Sequence, residues 1–87
     1  MRIAAIDLGT NTFHLIIAEQ NGGELEIIYK TNQPVKLGED ITKDNHIIAP
    51  AFERGIVCLK EFKNTLLLHD VTVLKATATS AVRSATN

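Results

Sequence analysis

Two short apolar runs joined by a polar turn constrain the fold of this chain more than any other feature of its sequence. The first run is Arg2–Asp7, the second is Phe13–Glu19, and the segment between them contains one glycine and three small hydroxyl or amide residues. The first run is nearly continuous in apolar character, which is typical of a strand covered on both faces. This order of segments predicts a strand that enters a tight turn and leaves as a second strand.

The predicted turn carries residues with a defined chemistry. Asp7, at the end of the first strand, can hold a hydrated Mg²⁺ because hard cations take oxygen ligands. Gly9 lets the backbone come close to a bulky anion, and Thr10, Asn11 and Thr12 supply short hydroxyl and amide groups. Concave arrangements of backbone N–H groups bind phosphate, so the turn is a candidate phosphate-and-metal site. The same residues also fit an ordinary hairpin connection.

The rest of the chain predicts two further strands and two helices. A third strand, Glu24–Thr31, follows an Asn-Gly turn and completes an antiparallel meander. A helix is predicted from near Pro50 to near His69, because Pro is favoured at the first helical position. A fourth strand, Val71–Ala76, and the start of a second helix, Ala81–Asn87, come after it.

The topology follows from this order of elements. Asn32–Asn45 is expected to be mostly loop, and a right-handed crossover through the first helix would lay the fourth strand parallel to the first. The order is typical of an α/β, ribonuclease-H-like half of an actin-type domain. Arg54 falls on the polar side of the first helix, whose predicted apolar face consists of Phe52, Gly55, Ile56, Leu59, Phe62 and Leu66.

Composition excludes several classes of protein. The chain has 87 residues, enough for one domain at most, and its hydrophobic content of 45% is typical of a globular protein. Its net charge is −1 and its basic residues are dispersed, so we expect no nucleic-acid partner. No apolar run reaches the length of about 20 residues that a membrane span needs, and Asp7 interrupts the apolar start. We therefore expect a cytoplasmic protein without a membrane partner.

The cysteine and histidine content predicts neither a disulfide nor a zinc site. Cys58 is the single cysteine and lies among apolar residues, so we expect a buried, inert thiol. His14, His46 and His69 follow no metal-ligand spacing. His14 is interpreted as a partly buried strand residue in preference to a general base.

Three segments together resemble one family. They are Met1–Leu15, Val35–Glu39 and Ala76–Arg83, and they occur in the family's order and near its spacing. The chain resembles the exopolyphosphatase/guanosine-pentaphosphate phosphohydrolase (Ppx/GppA) family of the actin-like ATPase superfamily. The resemblance implies that residues 1–87 are the N-terminal part of one actin-like domain, since members of the family normally continue well past this point.

The resemblance also implies roles for the turn. Gly9, Thr10, Asn11 and Thr12 match positions that bind phosphate, and Asp7 matches one that is catalytic and associated with the metal. Lys36 matches a segment that borders the cleft, although this segment also fits a polar loop with a glycine turn.

A second set of roles falls near the end of the chain. Thr79 and Ser80 match phosphate-binding positions and Arg83 matches a catalytic cation, although the pattern alone fits a helix cap followed by a solvated arginine. Ser84 stands where many relatives carry an acidic or amide residue.

The activity implied by the resemblance is Mg²⁺-dependent attack of water on the terminal phosphate of inorganic polyphosphate or guanosine pentaphosphate (pppGpp). In the family the water-activating glutamate and a second glycine-rich loop lie beyond the segment matched here, so we expect residues 1–87 alone to be inactive. Relatives tend to dimerise, which predicts a homodimer for the full-length protein. Two alternatives are a sugar- or acetate-kinase-like phosphotransferase and a non-catalytic, nucleotide-binding actin-like module.

Overall fold

The computed structural model describes residues 1–41, 45–78 and 80–86. In this part of the chain the elements are, in order, β1 (Arg2–Leu8), β2 (Thr12–Asn21), β3 (Glu24–Pro34), α1 (Ala49–Leu68), β4 (Val73–Ala78) and α2 (Ser80–Ser84). Every predicted element is present. Neither helix in these residues is long and apolar enough to cross a membrane.

The four strands form one sheet in the order β3-β2-β1-β4. β1 and β2 are antiparallel, as are β2 and β3, whereas β4 lies parallel to β1. Ile6 on β1 is therefore opposite Leu15 on β2 and Ala76 on β4. The predicted fold class, a meander followed by a crossover helix and a parallel strand, is confirmed.

The core lies between α1 and one face of the sheet. The buried sheet residues are alternate positions of the first two strands, with Ile6, Phe13 and Leu15 among them. Burial of these side chains supplies the main stabilisation, about 1.5–3 kcal/mol for each large one. On the helix the buried stripe recurs at three- and four-residue steps and consists of Ala51, Gly55, Cys58 and Phe62.

The predicted apolar face of α1 is confirmed at four of its six residues, since Gly55 and Phe62 are buried and Leu59 and Leu66 pack against the core, and it was wrong at the other two. Phe52 and Ile56 are 41% and 39% exposed. Small residues in the stripe let the helix approach the sheet closely, and the two larger side chains then fall at its edge. There they line a narrow apolar cavity of about 130 Å³ together with Val82.

The expectation that β1 is covered on both faces was also wrong for the described residues. Ala4 and Ile6 are buried beneath α1, whereas Ala5 and Asp7 alternate with them and are exposed. Successive side chains of a strand point to opposite faces, and α1 covers only one of those faces.

Several predicted boundaries differ from the structure. β3 continues through Pro34, since Gln33 and Pro34 still pair with the start of β2, and the loop therefore begins three residues later than predicted. β4 runs from Val73 to Ala78 instead of Val71 to Ala76. α2 ends at Ser84, and shortly afterwards the Thr86 N–H bonds to the carbonyl of Asn45, 3.0 Å away.

A β-bulge interrupts the regular alternation of side chains in β3. Ile17 pairs with Tyr29, but its neighbour Ala18 pairs with Ile27, which leaves Ile28 as the extra residue. A bulge moves the side chains beyond it to the opposite face. Tyr29 is consequently half-buried, while Leu25 and Ile27 are exposed.

Candidate phosphate site at the ends of β1 and β4

The turn between β1 and β2 is tight because of Gly9. Its N–H donates a hydrogen bond to the carbonyl of Thr12 at 3.1 Å, directly after the last β1–β2 pair, Leu8 and Phe13. A Cβ at position 9 would lie 2.6 Å from that carbonyl oxygen. The close approach of these two backbone segments therefore requires glycine, which is how the sequence produces so sharp a turn.

A second loop holds the tip of this turn. The N–H groups of Val35 and Lys36 both donate to the carbonyl of Asn11, at 2.8 and 2.9 Å, and the N–H of Gly38 donates to the carbonyl of Thr10 at 3.2 Å. In a trans peptide the N–H points opposite to the carbonyl. The carbonyls of Thr10 and Asn11 point toward the supporting loop, and the N–H groups of Asn11 and Thr12 therefore point away from it. The two carbonyl oxygens, which would repel an anion, are already hydrogen-bonded to the loop.

The supporting loop also lines a cleft beside the turn. A Cβ on Gly38 would lie 2.7 Å from Thr10 Cγ2, so the two loops are in tight contact. Lys36 adopts a φ of 49°, in the left-handed region, and its side chain is exposed. The cleft has a volume of about 550 Å³ and is lined by Asn11, Thr12, Pro34, Lys36, Gly38 and Glu39.

Asp7 is exposed at the carboxyl end of β1. It lies opposite His14 on β2 and Thr77 on β4, and the Thr77 hydroxyl donates to Asp7 Oδ1 at 3.3 Å. His14 is exposed, not partly buried as predicted, because it shares the uncovered face with Asp7. The sequence did not indicate Thr77 as a site residue. The parallel register of β1 and β4 places it beside Asp7.

The surroundings of Asp7 suit one kind of metal site. The described residues contain no group of three or more histidine, cysteine, aspartate or glutamate side chains that could hold a metal ion. Mg²⁺ commonly keeps several water ligands and binds through one or two carboxylates plus phosphate oxygens. A single exposed carboxylate beside a candidate phosphate-binding turn fits that pattern, whereas it does not fit an all-protein metal cage.

α2, which contains the predicted residues Ser80 and Arg83, begins shortly after the same edge of the sheet. Leu8 pairs with Ala78, so β1 and β4 end level and the chain leaves both strands at one edge. Ser80 opens α2, while the prediction for Thr79 lies outside the described residues. Arg83 is exposed, and its neighbour Val82 packs against the core. No ion pair joins Arg83 to Asp7 in the part of the chain that the structure describes.

One further residue at the site was not predicted. Arg54, on α1, donates from Nε to the carbonyl of Val35 at 2.9 Å and from Nη2 to the carbonyl of Lys36 at 3.3 Å. Its Nη2 also lies 3.6 Å from Glu39 Oε1. Helical spacing placed Arg54 on a polar face, and no sequence signal indicated that this face meets the loop after β3.

The chain is similar to a family of phosphatases and to solved members of it. The model of the Ppx/GppA phosphatase family matches residues 16–87. An exopolyphosphatase from Cytophaga hutchinsonii is 41% identical with a TM-score of 0.94, over 100% of this chain and 28% of that one. A Ppx/GppA family member from Aquifex aeolicus is 34% identical with a TM-score of 0.93, also over 100% of this chain and 28% of that one.

These matches cover the candidate site in different ways. The family model begins within β2 and so includes the supporting loop but not the Gly9–Thr12 turn, whereas both structural matches include the turn. The chain spans 28% of the length of these two solved proteins and corresponds to their N-terminal portion. The chain belongs to the Ppx/GppA phosphatase family.

Proposed function

We propose that the full-length protein containing this chain hydrolyses the terminal phosphoanhydride bond of inorganic polyphosphate or guanosine pentaphosphate, with Mg²⁺ and water as nucleophile. Membership of the phosphatase family and similarity to a protein described as an exopolyphosphatase support the proposal. The observation that carries it is the placement of the Asp7 carboxylate beside the Gly9–Thr12 turn, at the edge where β1 and β4 end level. Residues 1–87 would form the N-terminal part of one actin-like domain.

In this proposal the turn binds and orients the terminal phosphate. The amide groups of Asn11 and Thr12 and the hydroxyl of Thr10 contact its oxygens, and Gly9 keeps the backbone close enough for those contacts. Catalysis of phosphoryl transfer depends largely on positioning and on neutralising charge at the phosphoryl oxygens. Lys36, exposed at the neighbouring cleft, attracts further phosphates of an extended polyanion.

Asp7 and Arg83 act on charge at the reacting phosphate. Asp7 holds the metal or a water bound to it, and the hydrogen bond from Thr77 orients the carboxylate. Mg²⁺, when bound, neutralises charge on the phosphate oxygens. Arg83 donates two parallel hydrogen bonds to the same phosphate, which its planar guanidinium suits. Thr79 and Ser80 stay predicted phosphate ligands, and homodimerisation and a cytoplasmic location stay predictions.

The test is phosphate release by the full-length protein from polyphosphate and from pppGpp with Mg²⁺, for wild type, Asp7→Ala and Arg83→Ala. Glu24→Ala and Lys60→Ala are charge-matched controls, since both side chains are exposed and lie outside the site. We expect release to collapse in the two site variants and to persist in the controls. A folded wild type that releases no phosphate from either substrate would contradict the proposal. Acceptor-dependent formation of ADP would instead indicate a kinase. Nucleotide-dependent assembly without turnover would indicate a non-catalytic actin-like module.

A further inference from the structure

Arg54 connects the main helix to the loop that supports the phosphate turn. Its guanidinium bonds to two successive carbonyls, those of Val35 and Lys36, and pairs with the carboxylate of Glu39. The planar fork of an arginine can engage two neighbouring acceptors in a fixed geometry, which a lysine ammonium does not impose. The contacts therefore fix the orientation of the loop as well as its distance from α1.

The same two residues of the loop bond to the turn through their other backbone group. Val35 and Lys36 accept from Arg54 through their carbonyls and donate to the Asn11 carbonyl through their N–H groups. A continuous series of hydrogen bonds thus runs from α1 through the loop to the tip of the turn. Any rotation of the loop peptides would change the direction of the Asn11 carbonyl and, with it, of the Thr12 N–H.

The backbone of Lys36 needs such support. Its φ of 49° lies in the left-handed region, which is strained for a residue with a side chain and persists only when the surroundings fix it. Contacts on both its N–H and its carbonyl meet that requirement.

Helix and loop also pack together next to Arg54. A Cβ on Gly55 would lie 3.2 Å from Leu37 Cδ2, and Leu37 is buried. The close approach at Gly55 is what brings the Arg54 side chain within reach of the loop carbonyls.

We propose that Arg54 is a positioning residue for phosphate binding: it holds the Val35–Gly38 loop so that the loop fixes the Thr10–Asn11 tip of the turn. The proposal rests on the proposed function, because it takes phosphate as the bound group. Arg54 itself lies on the helix side of the loop, and its hydrogen bonds and ion pair go to Val35, Lys36 and Glu39.

The test compares Arg54→Met and Arg54→Lys with Lys60→Met in the full-length protein. Lys60 is exposed on the same helix, so its replacement removes an equal charge without changing the loop. Amide hydrogen exchange of Val35, Lys36 and Gly38 reports on the loop directly, because these N–H groups bond to the turn. Hydrolysis of inorganic polyphosphate and of pppGpp, measured well below the melting temperature of every variant, reports on the site.

In Arg54→Met we expect the three amides to exchange at least about 10-fold faster and kcat/KM to fall by about 10-fold or more, since small displacements of a binding group are costly. Arg54→Lys should give exchange rates and a kcat/KM between those of Arg54→Met and wild type. Lys60→Met should match wild type in both measurements. Unchanged exchange of the three amides in Arg54→Met would overturn the proposal, as would faster exchange with unchanged kcat/KM. A folded wild type without hydrolysis would overturn the proposed function, and the role of Arg54 in phosphate binding with it; the exchange data would then still show whether Arg54 holds the loop.

Discussion

Asp7 and Thr77 lie side by side on the neighbouring parallel strands β1 and β4, and the Thr77 hydroxyl donates a hydrogen bond to Asp7 Oδ1 at 3.3 Å. The two residues are 70 positions apart in the sequence, so only the crossover through α1 brings them together. A hydroxyl on one oxygen restricts the carboxylate rotamer and leaves the other oxygen to face a ligand. In metal sites, replacement of a hydrogen-bond partner of a ligand commonly lowers metal affinity or activity by 10–100-fold.

We predict that Thr77→Val lowers activity without unfolding the protein. Valine keeps the β-branched shape that suits the strand but cannot donate to Asp7. Phosphate release should fall by about 10-fold, with a higher Mg²⁺ concentration needed for half-maximal activity. Thr72→Val is the matched control, since the hydroxyl of Thr72 donates to the Arg2 carbonyl, far from the turn. Equal activity of Thr77→Val and wild type over a Mg²⁺ titration would contradict the assigned role.

Replacement of Gly9 by alanine should damage both the turn and the stability of the protein. The added Cβ would lie 2.6 Å from the Thr12 carbonyl oxygen, and because that atom is backbone, β1 or β2 must shift. We expect a loss of about 1–3 kcal/mol in the free energy of unfolding, together with loss of phosphate binding. Gly23→Ala is the control, because among the described residues its new Cβ would have no atom within 4 Å other than those of Gly23 and its chain neighbours. Urea denaturation measures the first effect, and calorimetric titration with tripolyphosphate measures the second.

The contact between Gly38 and Thr10 predicts a pair of compensating substitutions. A Cβ on Gly38 would lie 2.7 Å from Thr10 Cγ2, which is a side-chain methyl. Gly38→Ala alone should therefore displace the Thr10 side chain and reduce phosphate release. Thr10→Ser removes the methyl group and keeps the hydroxyl, so the double variant should recover most of the activity. A double-mutant cycle measures the coupling, and additive losses would exclude the steric explanation.

The thiol of Cys58 predicts how stability responds to alkaline pH. Burial, with a smaller contribution from the charge of Glu61, raises the pKa of Cys58 from 9.0 to about 11. The unfolded state then loses its thiol proton at lower pH than the folded state, so stability is complete below pH 9 and declines as the pH rises toward 11. The loss is at most about 3 kcal/mol.

Cys58→Ala isolates this effect from the other groups that titrate at high pH. The free energy of unfolding should fall more steeply between pH 9 and 11 in wild type than in the variant, whatever the variant's loss of packing at neutral pH. Alkylation of the native protein by iodoacetamide at pH 8 should be slow, since the thiolate is the reactive form. If the free energy of unfolding fell equally steeply between pH 9 and 11 in wild type and Cys58→Ala, or if alkylation were rapid, the pKa of Cys58 would not be raised by burial.

The agreement between sequence and structure is best where local patterns decide the conformation. The turn at Gly9 follows from residue types that favour turns, and β-branched and apolar runs specify the strands on either side of it. The crossover rule then predicts that β4 lies parallel to β1, which the pairing of Leu8 with Ala78 confirms. The buried state of Cys58 was predicted correctly for the same reason, since its neighbours on α1 are apolar.

The errors fall where packing between elements decides the outcome. The predicted apolar face of α1 was wrong at Phe52 and Ile56, because the helix packs on the sheet through the small residues Ala51 and Gly55, which permit a closer approach. A bulge at Ile28 changed which residues of β3 face the helix, and no local signal marks it. Such choices depend on how two preformed surfaces fit together, which local propensity does not encode.

By itself, the sequence determined the order of the elements, the antiparallel meander and the chemistry available at the Gly9–Thr12 turn, because these depend on neighbouring residues. Only the tertiary structure decided which distant groups complete the site. Thr77 reaches Asp7 across 70 positions, and Arg54 reaches the Val35 carbonyl across 19, once α1 has docked on the sheet. A hydrogen bond between distant residues forms only when its partners are held within about 3 Å of each other, and the packing of the core provides that constraint.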